Sequence, residues 1–431
     1  MKRPWRTILG RSILATAAFQ AAVWASDADT FLLRNADIFP VTSPEIINAS
    51  ILVRNGRIAS VGSAIAAPKG VRIVEGKGLR VYPGMIDSAT ELGLAEISDL
   101  RVTVDTGELG VFMPQLRALT AVNPDSEHFP VIRANGITSV VTFPSPENAG
   151  RSGGERQILA GQAALIHTDG WTWEEMAVNG SAAVHLIFPS LPRDQSGFAG
   201  AKRAYDREIQ QIGDFFDQAR RYRVAKLASG PGFKPDLKLE AMIPAIEGRA
   251  PVAISASRET EILDAIQFAD RQKIRMVLLE PRELGKAAAE LKSRNMPVVL
   301  GRTLELPLNE DDPYDAAFAL PAQAFRAGLK IALGTFDNEF VRDLPYNAAA
   351  AVAYGLPYEE ALKAVTVNPA EIWGAGTQLG SLAEGKWADL MLTDGDPFET
   401  RTAIKAVFVK GREVDLTNRQ TRLYQKYLNR P

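Results

Sequence analysis

The chain contains no cysteine and only three histidines in 431 residues. The absence of cysteine excludes disulfide bonds, thiolate metal sites and a cysteine nucleophile. The histidines are His128, His167 and His185, and none of them belongs to an HxH, HxxxH or HExxH pattern. The sequence therefore carries no recognisable zinc motif.

The chain also lacks an excess of charge of either sign. It has 49 basic and 51 acidic residues, a net charge of −2 and a pI near 6.1. This balance gives no indication of a nucleic-acid partner. The hydrophobic content of 46% and the charged content of 23% are ordinary for a globular protein. The length suits one barrel with a small accessory domain.

Long apolar runs are missing except near the N-terminus. Four basic residues among the first eleven precede a mostly apolar run from Ser12 to Trp24, and Val23–Ala25 has the small-x-small pattern of a leader cleavage site. The run is shorter than the roughly 20 residues that a membrane span needs. We therefore expect residues 1–25 to be a cleaved signal peptide, with no integral membrane span after processing. The expected location is periplasmic or secreted, and an uncleaved anchor and a plain extension are the alternatives.

Short β-branched runs occur towards both ends of the chain. Asn55-Gly56 separates two of the N-terminal runs and is a strong hairpin signal. The segment 380–416 has the same pattern of short runs separated by a turn, with one run at 388–393 and another at 406–409. We expect residues 30–82 and 376–416 to form one composite β-sandwich domain. Two unrelated β segments are the alternative.

Strands and helices alternate between these two segments, which predicts an α/β fold with a (β/α)8 TIM-like barrel over residues 83–375. An eighth strand is inferred between Ala225 and Pro251, and residues 417–431 should form a C-terminal helix or tail. The seven clear strand candidates are Val81–Ile86, Ile137–Phe143, Ala183–Phe188, Val252–Ser255, Ile274–Leu279, Pro297–Leu300 and Lys330–Leu333.

Two motif regions carry a family resemblance. Residues 83–93 read Pro-Gly-Met-Ile-Asp-Ser-Ala-Thr-Glu-Leu-Gly. Residues 357–397 contain the runs Glu-Glu-Ala-Leu, Thr-Val-Asn-Pro-Ala, Leu-Gly-Ser-Leu, Gly-Lys-Trp-Ala-Asp-Leu and Asp-Gly-Asp-Pro. From about residue 30 to 416 the chain resembles imidazolonepropionase-type members of the amidohydrolase superfamily. The resemblance implies a hydrolase of non-peptide C–N bonds in cyclic amides, amidines or peptide-like compounds.

The resemblance also implies a metal site, but this chain departs from the family at the ligand positions. The two histidines of the first-strand motif are replaced by Ala89 and Glu91, a later histidine by Ser255, and an aspartate by Phe336. None of these side chains is a nitrogen ligand. We therefore expect no cofactor and no stoichiometric zinc, whereas a weakly held Mg²⁺ or Ca²⁺ stays open because both prefer oxygen ligands.

Other family positions are ambiguous. Glu280 or Arg282 stands where a further histidine is expected, and Asp337 follows Phe336 by one residue. Lys226 is a candidate for the family's bridging lysine. We favour its interpretation as a solvated residue at the end of a long helix.

Barrel enzymes place their chemistry at the carboxyl ends of the strands. Charged and hydroxyl side chains at these ends suit a small polar ligand. A buried ion-pair network that fills the former metal site is the alternative. The catalytic candidates are Glu91, Asp87 and Asp337, and the binding candidates are Ser88, Ser255, Arg258, Glu280, Arg282 and Arg302.

The third strand candidate contains His185, which we interpret as a core histidine rather than a catalytic one. Two functions stay open. The first is a hydrolase with an altered or metal-independent site that uses one of the candidate carboxylates as general base. The second is a catalytically silent barrel that binds a ligand or a metal-bearing paralogue, and both homo-oligomers and hetero-oligomers are open.

Overall fold

The structure is a computed structural model that describes residues 29–145, 157–191, 198–230 and 232–430. The expected signal peptide, residues 1–25, lies outside these residues. No helix within the described ranges is both long enough and apolar enough to cross a membrane.

The strands of the described chain fall into two sheets. In chain order they are β1 (Phe31–Ile38), β2 (Ile46–Arg54), β3 (Arg57–Gly62), β4 (Arg72–Glu75), β5 (Arg80–Pro83), β6 (Met85–Thr90), β7 (Ile137–Thr142), β8 (Leu159–His167), β9 (Ala177–Ile187), β10 (Val252–Ser255), β11 (Met276–Leu279), β12 (Val298–Leu300), β13 (Ile331–Leu333), β14 (Leu390–Thr393), β15 (Ile404–Val409) and β16 (Arg412–Glu413).

Most helices alternate with the strands of the second sheet along the chain, and one follows the last strand of the first sheet. In chain order they are α1 (Ala118–Ala121), α2 (His128–Arg133), α3 (Trp173–Met176), α4 (Phe198–Ala228), α5 (Leu237–Ile246), α6 (Glu259–Gln272), α7 (Ala287–Ser293), α8 (Ala316–Arg326), α9 (Leu344–Ala353), α10 (Tyr358–Ala364), α11 (Val367–Ile372) and α12 (Arg419–Leu428), and short 3-10 turns cover Arg101–Thr103 and Phe340–Asp343.

The first sheet is built from both chain ends. Its strand order is β16-β15-β14-β5-β1-β2-β3, and β4 pairs with β1 beside β5. The sequence predicted a sandwich from these segments, and the structure has one continuous hydrogen-bonded sheet. Asn55 and Gly56 make the turn between β2 and β3 with φ of 50° and 74°, the left-handed conformation that this short hairpin requires.

The second sheet contains β6 to β13 in sequence order and curls into a nearly closed barrel. Seven of its strands run in the same direction, and β8 is antiparallel to both of its neighbours, β7 and β9. The eighth strand is therefore Leu159–His167, and the segment between Ala225 and Pro251 forms helix α5 instead. The expectation of a strict (β/α)8 barrel is corrected at this point, because a hairpin replaces one helical crossover.

The barrel closes where β6 meets β13. Asp87 on β6 accepts hydrogen bonds from the Thr335 backbone N–H at 3.1 Å and from the Thr335 hydroxyl at 2.5 Å. Next to them, the Phe336 N–H donates to the Ala89 carbonyl at 2.8 Å. These contacts fix the carboxyl ends of the first and last strands beside each other.

Trp373 fills the inside of the barrel. It is 1% exposed and packs in one buried cluster with small residues from separate strands, including Ala163, Ala183, Ala253 and Ala332. Alternate residues of the same strands face outward and pack against the helices in a separate cluster. The indole N–H of Trp373 donates to the Ser88 hydroxyl at 2.8 Å, so its polar group is satisfied.

We expect Trp373→Ala to lower the free energy of unfolding by about 3–5 kcal/mol, because it empties the barrel interior and removes the donor to Ser88. Trp171→Ala is the matched control. Its side chain is 88% exposed, so its removal should change stability by less than about 0.5 kcal/mol. Urea unfolding measures both, and similar effects of the two substitutions would contradict this assignment of the core.

Candidate active site

A cavity of about 480 Å³ opens at the carboxyl ends of the parallel barrel strands. Six of the predicted site residues line it: Glu91, Ser255, Arg258, Glu280, Arg282 and Arg302. The cavity is thus lined by residues that follow several different strands, which is where barrel enzymes hold their substrates. The remaining candidates, Asp87, Ser88 and Asp337, do not line it.

A serine and a histidine meet in this cavity. His185 lies on β9 and Ser255 ends the neighbouring strand β10, where Ala253 pairs with His185. Ser255 is two residues further along, so both side chains face into the barrel and lie diagonally adjacent. The Ser255 Oγ is 2.8 Å from the His185 Nε2.

The other ring nitrogen of His185 fixes the direction of this hydrogen bond. The His185 Nδ1 lies 2.8 Å from the backbone oxygen of Pro144, which can only accept. Nδ1 must therefore carry the proton, and Nε2 accepts from the Ser255 hydroxyl. The serine proton is directed at a free base.

Burial keeps this imidazole neutral. His185 is 6% exposed, and loss of solvation lowers its pKa to about 4 against a weaker opposing effect of the Pro144 carbonyl. The Phe143 ring meets it edge-on at 5.3 Å between centroids and covers one side. At neutral pH the histidine is thus ready to accept a proton.

Two of the arginines at the cavity are held in an ion-pair network. Arg282 lies 2.7 Å from Glu305, and Arg302 lies 2.8 Å from the same carboxylate. Arg302 also reaches Asp337 at 3.3 Å. The other Asp337 oxygen accepts from the backbone N–H of Phe340 at 3.0 Å. The structure therefore gives Asp337, a predicted catalytic residue, a structural role.

Arg258 differs from the other two arginines. Its Nη1 is buried and has no hydrogen-bond partner among the described residues. The adjacent Glu259 accepts from the Lys286 backbone N–H at 2.9 Å. Glu261 accepts from the Arg258 backbone N–H at 3.2 Å and from the Ser190 hydroxyl at 2.8 Å. The Glu261 carboxylate thus satisfies a backbone N–H at the start of α6. The Nη1 group of Arg258 therefore remains available for a negatively charged group in the cavity.

Two strand-end residues that line the cavity have strained backbones. Glu280, after β11, and Phe336, after β13, both have φ of 52° without being glycine. Such conformations cost free energy and concentrate at functional sites. Both residues occupy positions where the family resemblance places metal ligands.

Asp87 and Ser88, which the sequence predicted as site residues, have structural roles instead. Both are fully buried. Asp87 binds Thr335 and also accepts from the Ala89 N–H at 3.0 Å, and Ser88 accepts from Trp373. Burial raises the pKa of Asp87 to about 7, more than its hydrogen bonds lower it, and the nearby Asp337 adds to the rise.

The residues at the family ligand positions do not fit a zinc ion. Ala89 and Phe336 offer no donor atom, and Ser255 is bonded to His185, whose nitrogens both have partners. Among the described residues, no three His, Asp, Glu or Cys side chains are grouped as a metal would need. Weak binding of Mg²⁺ or Ca²⁺ by carboxylates such as Glu91 stays a prediction.

The remaining candidates lie away from the cavity. Lys226 ends helix α4, where it is partly exposed and pairs with Glu240. His128 begins α2 and contacts the Glu96 carbonyl at 3.0 Å. His167 is buried and lies 3.2 Å from Asp389.

The sequence interpretation missed His185 as a member of the site. A signal was present, since His185 and Ser255 stand near the ends of consecutive strands that follow each other across one crossover. Recognising it required the register between β9 and β10, which decides that both side chains face inward.

Asp87 should make stability depend on pH. A raised carboxyl pKa means that the folded chain keeps a proton which the unfolded chain releases between about pH 4 and about pH 7. The free energy of unfolding should therefore fall as pH rises through this window. Asp87→Asn should remove most of that slope. Urea titrations across the window test this, with the exposed Asp311→Asn as control, and an unchanged slope in Asp87→Asn would refute it.

Comparisons with known proteins agree with this fold. The model of the Amidohydrolase family matches residues 351–415. A crystal structure of an amidohydrolase from Thermotoga maritima MSB8 superposes with a TM-score of 0.74 at 27% identity, covering 89% of this chain and 99% of that one.

Three sequence relatives have similar coverage of this chain. The amidohydrolase tasK of Hapsidospora irregularis is 24% identical over 88% of this chain and 42% of its own length. Adenine deaminase of Moorella thermoacetica is 23% identical over 90% of this chain and 57% of its own length. Imidazolonepropionase of Symbiobacterium thermophilum is 23% identical over 80% of this chain and 84% of its own length.

The chain spans about half the length of the first two of these relatives. The described fold, the matched family model and the relatives nevertheless agree with the motifs of residues 83–93 and 357–397. In sequence and in fold, the chain is therefore similar to members of the amidohydrolase superfamily.

Proposed function

We propose that the chain is a hydrolase of non-peptide C–N bonds that works without a metal, with Ser255 as nucleophile and His185 as general base. The observation that carries the proposal is the 2.8 Å hydrogen bond from the Ser255 hydroxyl to the unprotonated Nε2 of His185 inside the cavity. This is the pairing by which a weak hydroxyl nucleophile is activated. The class of bond comes from relatives named imidazolonepropionase and adenine deaminase.

For a cyclic amide substrate, the reaction divides into two steps at the amide carbonyl carbon. Ser255 Oγ attacks this carbon while its proton moves to His185 Nε2. The C–N bond then breaks, and the same proton passes to the leaving nitrogen, which leaves an ester on Ser255. Water attacks this ester, His185 takes the water's proton and returns it to Ser255, and the product acid departs.

The Pro144 carbonyl takes the place that a carboxylate holds in better-known serine hydrolases. It fixes the ring orientation and the tautomer through the Nδ1–H bond of 2.8 Å. A neutral carbonyl stabilises the imidazolium less than a carboxylate does. The low pKa of His185 therefore favours an easily attacked substrate, such as a strained cyclic amide.

Arg258 is the candidate for stabilising the negative charge that forms on the attacked group. It lines the same cavity three residues after Ser255, and its buried Nη1 has no partner among the described residues. A cation in a site that excludes water contributes more to this stabilisation than one in solvent. Of the three carboxylates predicted to be catalytic, Glu91 alone lines the cavity, and we assign it to substrate binding.

Three features of the chain's setting stay proposals. These are export, which rests on residues outside the described ranges, a small polar ligand rather than a nucleic acid, and assembly with a second copy or a paralogue. A catalytically silent barrel is the competing function, and the same experiment distinguishes it.

An activated Ser255 should react with a fluorophosphonate probe. We expect labelling at Ser255 in the purified chain, its loss in Ser255→Ala, and a decrease of roughly 100-fold or more in His185→Gln, because the general base is removed. Ser257→Ala, another serine of the cavity lining, is the matched control and should label normally. Labelling should survive treatment with EDTA. The rate should rise with pH through about 4 and then level off, as the neutral histidine is the base.

Intact-protein mass spectrometry with peptide mapping measures the site and the rate. Absence of labelling at Ser255, or an equal rate in His185→Gln, would contradict the hydrolase proposal and favour the silent barrel. Thermal melts of all three variants check that each one folds. A screen of cyclic amides with the same variants then connects labelling to turnover.

A further inference from the structure

The C-terminal helix α12 is exposed along its whole length. It spans ten residues, Arg419–Leu428, and none of them is buried. Its N-terminus is fixed, because the buried Asn418 accepts from the Thr421 N–H at 3.0 Å. A helix of ten residues is only marginally stable in water without tertiary packing. This element therefore lacks the cover that helices of globular proteins normally have.

One face of α12 is apolar and aromatic. Leu423, Tyr424, Tyr427 and Leu428 are exposed by 40%, 63%, 55% and 61%. The last three follow Leu423 by one, four and five residues, which places all four on a single side of the helix. Tyrosine side chains with a polar tip are common where a protein meets the polar boundary of a bilayer.

The flank of this face is strongly basic. Arg419, Arg422, Lys426 and Arg430 follow it, and residues 416–431 contain no acidic side chain. The chain as a whole is slightly acidic, with a net charge of −2, so the segment has the opposite sign. Arg422 forms an exposed ion pair with Glu127 at 3.2 Å. A pair this exposed holds the helix only weakly.

The surface next to the helix offers another aromatic group. Trp171 is 88% exposed and borders a depression of about 370 Å³ that Arg422 also borders. Exposed tryptophans of this kind are unusual on a surface that meets only water, and they favour the headgroup level of a bilayer. The exposed aromatic surface thus extends beyond the helix itself.

We propose that α12 docks the protein on an anionic lipid surface, with Leu423, Tyr424, Tyr427 and Leu428 inserted at the headgroup level and the four cations facing lipid phosphates. Helices that lie in the membrane interface typically have one apolar face and one basic face, and a low overall hydrophobicity. The inference is independent of the proposed hydrolase chemistry.

A second copy of the chain is a poorer occupant of this face. A symmetric dimer would bring two copies of the same helix together. Each copy contributes four cations and no carboxylate within the segment, so the contact would be repulsive. An anionic bilayer supplies the opposite charge over the whole surface.

Vesicle co-sedimentation of the full chain tests the proposal. The probe is phosphatidylcholine vesicles with about one third phosphatidylglycerol, compared with pure phosphatidylcholine, at about 0.05 M and about 0.5 M salt. We expect binding to the anionic vesicles at low salt, little to the neutral ones, and release at high salt. The double variant Arg419→Gln/Lys426→Gln should lower the partition coefficient by roughly 25-fold, about fivefold for each cation.

The matched control is Lys69→Gln/Lys77→Gln, which removes two exposed lysines from the loops on either side of β4 and should bind vesicles as the parent does. The apolar variant Leu423→Ser/Leu428→Ser should also lose binding, with an unchanged melting temperature. Equal binding to neutral vesicles, no binding at low salt, or an undiminished Arg419→Gln/Lys426→Gln variant would overturn the proposal. Self-association in sedimentation velocity that the apolar variant abolishes would assign the face to a second copy and likewise overturn it.

Discussion

Barrel closure is the constraint on which the site depends. The first and last strands meet through Asp87 and Thr335 at 2.5 Å and 3.1 Å rather than through a long ladder. Because Thr335 lines the cavity and Asp87 lies just outside it, their contact positions the neighbouring lining residues Glu91 and Phe336. A buried carboxyl with a pKa near 7 is an unfavourable way to join two strands in water, but its hydrogen bonds satisfy it inside a closed barrel.

The closed barrel has an interior that side chains must fill. The volumes of the inward-facing side chains then determine how much space remains for the site. Alanines such as Ala183 and Ala253 leave room for the Trp373 indole. Above it, the 2.8 Å contacts of His185 with Ser255 and with Pro144 satisfy both ring nitrogens. Packing fixes the rotamers of the pair, so the site is preorganised by the core rather than by a metal.

Local patterns predicted much of the fold. The strand at Val252–Ser255, the turn at Asn55-Gly56 and the composite origin of the small sheet could be identified from short stretches of sequence. The antiparallel β8 could not, because its apolar run at 159–167 is equally compatible with either direction. The side-chain direction of Asp87 and the contact between His185 and Ser255 depend on register between strands, which no single stretch encodes. The motif of residues 83–93 predicted a site at the strand ends, and the contacts inside the cavity required the structure.

Catalysis by this site requires that His185 is a neutral base whose Nε2 faces Ser255. The chain has only three histidines, so ¹⁵N-histidine NMR resolves each ring, and His185→Gln assigns the signals. We expect the Nδ1–H tautomer for His185, retained down to about pH 5, because its pKa is about 4. Ser255→Ala should shift the Nε2 resonance and leave Nδ1–H in place. An Nε2–H tautomer, or titration near the ordinary value of 6.5, would contradict it.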